Sequence, residues 1–247
     1  MKLLKLAFRR QTAVPMLALT FTSVVTIGLV AARIIWTRDL IYASLVWNLF
    51  LAWVPLGFAL LAGEAFQEGK SGNWRFLGFA LAWLLFFPNA PYIFTDVVHL
   101  TTYFYSHFWV DLMLILLCAL TGLVVGFVSL FLMQGVVRGL FGTLASWVFI
   151  GAVAGLSGFG IYLGRFQRFN SWDIIWKPMA LSRGIGKWAS NPLSHSNTFA
   201  FPMLFAVFLF LAYLMLYALT RLEHAHTPNR QVRGVFTPNG PMESAAA

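Results

Sequence analysis

The chain has 247 residues, of which 60% are hydrophobic and only 10% are charged. Soluble domains carry roughly 25% charged residues, so this composition excludes an ordinary soluble globular protein. The net charge of +9 does not indicate a nucleic-acid-binding protein, because the cations lie at the ends of apolar segments and form no basic stripe with interleaved aromatic residues.

Six apolar segments predict six membrane-spanning helices. The uncharged runs approach or exceed about 20 residues, the length that crosses a bilayer core. Backbone groups in lipid must be hydrogen-bonded within their own segment, which requires helices. The predicted spans are residues 13–32, 41–63, 76–88, 112–133, 141–163 and 199–219. The fold class is therefore all-α, a polytopic transmembrane bundle forming one domain over residues 1–220.

The N-terminus resembles a signal peptide in carrying several cations before its first apolar run. That run is longer than the roughly 7–15 residues of a signal-peptide core, so we expect the first span to be retained. Six spans then place both termini in the cytoplasm. Cytoplasmic loops hold only a small excess of cations, so the charge bias alone does not decide the topology.

Two prolines interrupt the third apolar segment in "FFPNAPYIFTDVVHL", residues 86–100. Proline disfavours the α conformation in the residue before it, which predicts that the span ends near Phe87. Asn89 is a suitable N-cap for a new helix. We expect a short helix over residues 92–106 that lies at the outer interface, because Asp96 at the bilayer centre would cost about 2.5–3.5 kcal/mol.

The new helix carries a polar line. Asp96, His99, Tyr103 and His107 recur at helical spacing, and Asp111 extends the line by one further turn. Such an amphipathic pattern predicts either the lining of a crevice in the bundle or a face that meets water.

A second polar group closes the fifth span in "YLGRFQRFNSWDIIWKP", residues 162–178. Arg165 and Arg168 are three residues apart and share a face if the helix continues. We predict that Asp96 and Asp173 pair with these arginines across an outer-facing crevice. The alternative is that the arginines only anchor the chain in the headgroup layer.

The chain around this group is polar and basic. Asn170 and Asp173 indicate a turn or the start of a short helix, and Trp172 is typical of the headgroup layer. The outer loop, residues 164–198, holds five cations and one acid and therefore suits anionic groups. Residues 221–247 are rich in Pro, Gly, Asn and Thr and predict a disordered cytoplasmic tail.

Several candidate site residues follow from these patterns. The predicted ligand-binding set is Asn89, Asp96, His99, Tyr103, Arg165, Arg168, Asn170, Trp172 and Asp173. The catalytic candidates are Asp96 and His99, a carboxylate and an imidazole suited to acid–base chemistry. Weak metal-ligand candidates are Asp96, His99, His107 and His195. No cofactor motif is present, and no cofactor is expected.

Two stretches carry a family resemblance. "WLLFFPNAPYIFTDVVHL" (83–100) and "YLGRFQRFNSWDII" (162–175) are similar to the hallmark segments of a bacterial integral membrane family, the domain of unknown function numbered 1361. The resemblance implies a multi-pass protein of the bacterial cytoplasmic membrane and names no substrate. It also implies a shared core made of Asn89, Asp96, His99, Arg165, Arg168, Asn170, Trp172 and Asp173.

Three functions remain open from the sequence. The first is binding or transport of an anionic small solute or lipid headgroup at an outer-facing polar crevice. The second is a membrane-embedded hydrolase, metal-assisted or acid–base, that uses Asp96 and His99. The third is an assembly or scaffold subunit of a membrane complex. The expected partners are the lipid bilayer, anionic lipid in particular, and an oligomer or complex subunit.

Overall fold

The computed structural model describes residues 13–38, 40–69, 72–101, 107–190 and 196–225. Within them the chain is helical and contains no strand. The helices are α1 (Ala13–Thr37), α2 (Ala43–Gln67), α3 (Trp74–Phe86), α4 (Asn89–Tyr92), a 3₁₀ helix (Ile93–Thr101), α5 (Phe108–Phe166), α6 (Asp173–Trp176), α7 (Pro178–Ser190) and α8 (Ser196–Ala225). The all-α prediction is confirmed.

Helix α5 is a hairpin of two spans. Its 59 residues would extend about 90 Å as one rod, roughly three times a bilayer core. Gly142 interrupts it at φ 86° and ψ 177°, a conformation that glycine adopts without a side-chain clash. Gly126 packs against Ala90 and Gly160 packs against Pro88. Since both contacts lie at similar distances from Gly142, the halves run antiparallel as α5a (residues 108–141) and α5b (residues 143–166).

Five helical segments are long and apolar enough to cross a membrane: Ala13–Thr37, Ala43–Gln67, Trp74–Val98, Phe108–Phe166 and Phe199–Thr220. The fourth of them is the hairpin, so six crossings fit the bundle. Buried apolar side chains from α1, α2, α4 and α5a form its core, and Cys118 is one of them.

The proline break ends the span where expected, since α3 ends at Phe86, but two local expectations are wrong. Phe87 precedes Pro88 but keeps helical angles of φ −54° and ψ −40°. Asn89 is not an N-cap, because Pro88 holds that position and Asn89 begins α4. Phe87 and Ala90 are buried against α5. Packing therefore overrides the local preference of residues that precede proline.

The predicted interfacial helix is a 3₁₀ helix that packs against the bundle. Ile93, Asp96 and Leu100 are buried, and Ile93 lies against Gly122 of α5a. Residues 102–106, which include Tyr103, lie outside the described residues. Asp111, the expected extension of the polar line, lies in the first turn of the separate helix α5 and pairs with Arg33. That this segment does not cross the membrane stays a prediction.

The short helix expected near Asp173 is present as α6, and the outer loop, residues 164–198, also contains the amphipathic helix α7. The predicted disordered tail begins too early, because α8 continues to Ala225, and residues 226–247 lie outside the described part of the chain.

The chain divides into two compact units, Met1–Phe210 and Leu211–Ala247. In the second unit, α8 stacks Tyr213 on Tyr217 at 6.3 Å.

Candidate functional site

A buried carboxylate lies where three helical segments meet. Asn48 Nδ2 of α2 donates to Asp96 Oδ2 at 2.9 Å, and Arg165 Nη1 of α5b donates to Asp96 Oδ1 at 3.3 Å. Arg165 Nη2 also donates to the carbonyl of Thr95. The guanidinium carbon lies 5.7 Å from the centre of the Tyr92 ring, within cation–π range. We call Asn48, Tyr92, Asp96 and Arg165 the Asp96 cluster.

The proline-containing turn explains how the loop after α5b is attached beside this cluster. The Ala90 N–H donates to Phe87 O, which leaves the carbonyl of Phe86 to another donor. Asn89 Nδ2 donates to Phe86 O at 2.9 Å, and the Ser171 hydroxyl donates to Leu85 O at 3.0 Å. Unpaired carbonyls are costly in an apolar bundle, so these side chains stabilise the turn.

Asn89 also joins the two stretches directly. Its Nδ2 donates to Ser171 Oγ at 3.0 Å. The segment "PNAP" and the segment "NSWD" are therefore joined by a direct hydrogen bond.

The predicted pairing of Arg168 with Asp173 is not formed in the structure. Helix α5 ends at Phe166, and Arg168 follows it, exposed and with φ 57°. It therefore does not share a helix face with Arg165. Asp173 instead accepts a hydrogen bond from the Asn170 N–H at 2.8 Å and lies 3.7 Å from Lys177 Nζ. Trp172 is the half-buried residue that precedes α6.

The histidine candidates are not assembled into a metal site within the described residues. His99 belongs to the 3₁₀ helix, but its side chain lies outside the described part of the chain, as does His195. His107 packs edge-to-face against Trp36 at 4.7 Å. Across the part of the chain that the structure describes, no group of three or more His, Cys, Asp or Glu side chains could hold a metal ion.

The Asp96 cluster lies on a cavity of about 760 Å³ between α2, α3 and α5b. Helices α3 and α5b run parallel, since Trp83 stacks on Phe149 while Tyr92 packs against Gly164 further along both. The lining is apolar near the Gly142 end, where it includes Leu81, Leu84, Leu156 and Phe159, and polar at the other end, where it includes Asn48, Asn89, Asp96, Arg165 and Ser171. One end of the cavity is thus apolar and the other polar.

A second buried ion pair was missed by sequence reasoning. Arg33 of α1 donates through Nε to Asp111 Oδ1 at 2.7 Å and through Nη2 to Oδ2 at 3.0 Å. The Arg33 guanidinium also lies 5.8 Å from the Trp36 ring and 5.7 Å from the Tyr42 ring. The available signal was one arginine at the end of the first span and one aspartate at the start of the fourth, on the same side of the membrane.

Residues 47–233 match the family described as "Protein of unknown function (DUF1361)". The chain belongs to this family. The match covers most of the chain, contains the whole Asp96 cluster and excludes Arg33. With its apolar helices, this DUF1361 protein is a membrane protein. No curated protein and no solved structure matches it.

Proposed function

We propose that this DUF1361 protein binds an anionic small solute or lipid headgroup at the polar end of the cavity, facing outward from the bacterial cytoplasmic membrane with both termini inside. The observation that carries the proposal is the position of the Asp96 cluster and Asn89 on one end of a cavity of about 760 Å³. Ligand sites commonly occupy about 300–1,000 Å³ and combine apolar walls with a few polar groups.

The charges around the polar end favour an anion. Asp96 and Asp173 are buried and already accept hydrogen bonds from the protein. Arg168 and Arg183 are exposed and lie within two residues of side chains that line the cavity. The rim therefore carries surplus positive charge, which attracts anionic groups.

The same geometry favours a positioning role for Asp96 over the catalytic role that the alternative of a hydrolase would give it. Both oxygens of Asp96 accept hydrogen bonds, from Asn48 and from Arg165. A general base must reach the proton that it removes, and a metal ligand must offer an oxygen to the ion. A carboxylate held from both sides is better suited to position Arg165. A scaffold subunit, the third alternative, has no need of a cavity with a polar end.

The experiment measures binding of a glycerol phosphate carrying one acyl chain to the protein in zwitterionic nanodiscs. Arg165→Gln removes a charged hydrogen-bond donor and is expected to weaken binding roughly ten- to hundredfold. Arg168→Gln, at an exposed position outside the bundle, is expected to weaken it by a smaller factor without affecting the fold.

The matched control is Arg75→Gln. Arg75 is also an exposed arginine, but it follows the α3 N-cap at the opposite end of the bundle. Its loss should leave binding unchanged. Equal affinity in all four proteins, or no binding to the unmodified chain, would overturn the proposal.

A further inference from the structure

The ligand's route and its chemical class follow from the shape of the cavity. Resting on the proposed function, we infer that the ligand is a single-chain amphiphile resident in the bilayer, which enters the cavity sideways with its anionic group at the Asp96 cluster and its chain along α3.

The graded lining supports an amphiphile. Leu81 and Asp96 both line the cavity and are separated by 15 residues of nearly continuous helical chain. At 1.5 Å per residue this corresponds to about 22 Å, the length of an extended acyl chain rather than of a small polar solute. A solute with no chain would leave the apolar end of the cavity without a ligand group to contact.

The wall of the cavity is open toward the lipid. Trp47 is 54% exposed, Leu81 57% and Leu156 54%, although all three line the cavity. They belong to three different helical segments that are long and apolar enough to cross a membrane. Apolar residues that border a cavity and also face outward from a membrane bundle form a lateral opening, and we call these three residues the portal.

Two short helices border the polar end. Leu181 and Ile185 of α7 line the cavity, as does Ile174 of α6. Ile174 and Ile185 keep 49% and 37% exposure, less than the three portal residues, and Leu181 is half-buried. Gly184 brings α7 against Gln167 and Phe169, which follow α5b. The amphipathic helix α7 therefore narrows the end at which a water-soluble solute would enter, while the portal faces the hydrocarbon.

The experiment compares two probes that share one anionic group. Glycerol phosphate and its single-chain acyl ester are titrated into the protein in zwitterionic nanodiscs. The acyl probe concentrates in any bilayer, so the decisive comparison is between variants in the same bilayer. Leu81→Trp places a larger ring in the portal, whereas Leu77→Trp changes an equally exposed leucine one turn earlier on α3 that does not line the cavity.

We expect Leu81→Trp to weaken binding of the acyl probe about tenfold or more. Leu77→Trp should bind it like the unmodified chain, and any binding of glycerol phosphate should be the same in both variants. An acyl-probe affinity unaffected by Leu81→Trp, or lowered equally by Leu77→Trp, would overturn the lateral route.

Two other outcomes separate this inference from the proposed function. If glycerol phosphate binds as tightly as the acyl probe, the amphiphile is excluded while anion binding at the polar end stands. If neither probe binds to the unmodified chain, the proposed function fails and the inference fails with it.

Discussion

Replacing Asp111 with asparagine is expected to lower the free energy of unfolding by about 3–5 kcal/mol, because it breaks a buried ion pair by removing only its negative partner. The Arg33 and Asp111 side chains are 6% and 0% exposed, and two hydrogen bonds join them in the fork geometry typical of strong arginine–carboxylate pairs. They also link α1 to α5a. We therefore expect α1 to detach more readily in the variant.

The measurement is denaturant or thermal unfolding in one detergent, with the double variant Arg33→Met, Asp111→Leu as the matched control. The double variant replaces both charges by apolar side chains and so restores the charge balance, and it should recover most of the loss. A single Asp111→Asn variant as stable as the unmodified chain would show that the pair is not intact in the folded protein.

Replacing Asp96 with asparagine is expected to lower the free energy of unfolding by about 1.5–3 kcal/mol, the range for hydrogen bonds to charged groups. Asp96 is nearly as buried as Asp111, but its partner Arg165 retains 16% exposure and keeps its contacts with Thr95 and Tyr92. The loss should therefore be smaller than at Asp111.

The double-mutant cycle of Asp96→Asn with Arg165→Gln checks this directly. Residues that share a hydrogen bond should be non-additive by at least about 0.5 kcal/mol. The control cycle pairs Asp96→Asn with Arg168→Gln, which the structure separates, and should be additive. Additivity in both cycles would mean that Asp96 is an ordinary polar residue with no specific partner.

Apolar run length was enough to predict the bundle, because lipid leaves a long uncharged segment few alternatives to a helix. Run length does not determine the backbone conformation of Phe87 and Ala90, the two residues that precede the prolines. The preference of residues that precede proline is a local tendency, and close packing on the glycines of α5 outweighs it. Likewise, the small-xxx-small spacing of Gly151 and Gly155 is typical of a close helix contact, yet within the described residues it is Gly158 that packs against Pro202 of α8.

The site was predictable only where local sequence determines it. A polar side chain within an apolar run, such as Asn48, is typical of a residue that bonds across helices, and Asn48 donates to Asp96. Arg165 reaches Asp96 because both lie at one end of adjacent segments. Arg168 was misplaced because the last residue of a helix is poorly determined by spacing. A single cation at a span end, such as Arg33, is typical of a headgroup anchor, so only the tertiary structure reveals its pairing with Asp111.

The most direct test of the ligand cavity measures whether a bound ligand slows chemical modification of a cysteine introduced in place of Ser44. Ser44 is exposed and lines the cavity near the Asp96 cluster, and a Ser44→Cys change is nearly isosteric. The background is Cys118→Ala, which removes the only native cysteine. At ten times its Kd, the acyl glycerol phosphate should slow modification of the introduced thiol by about tenfold, since only the unliganded fraction reacts. The control is Thr143→Cys, which is exposed at the α5 hairpin and should be modified at the same rate with and without the probe. If the probe also fails to slow modification of the cysteine at position 44, that result would contradict the cavity as a binding site.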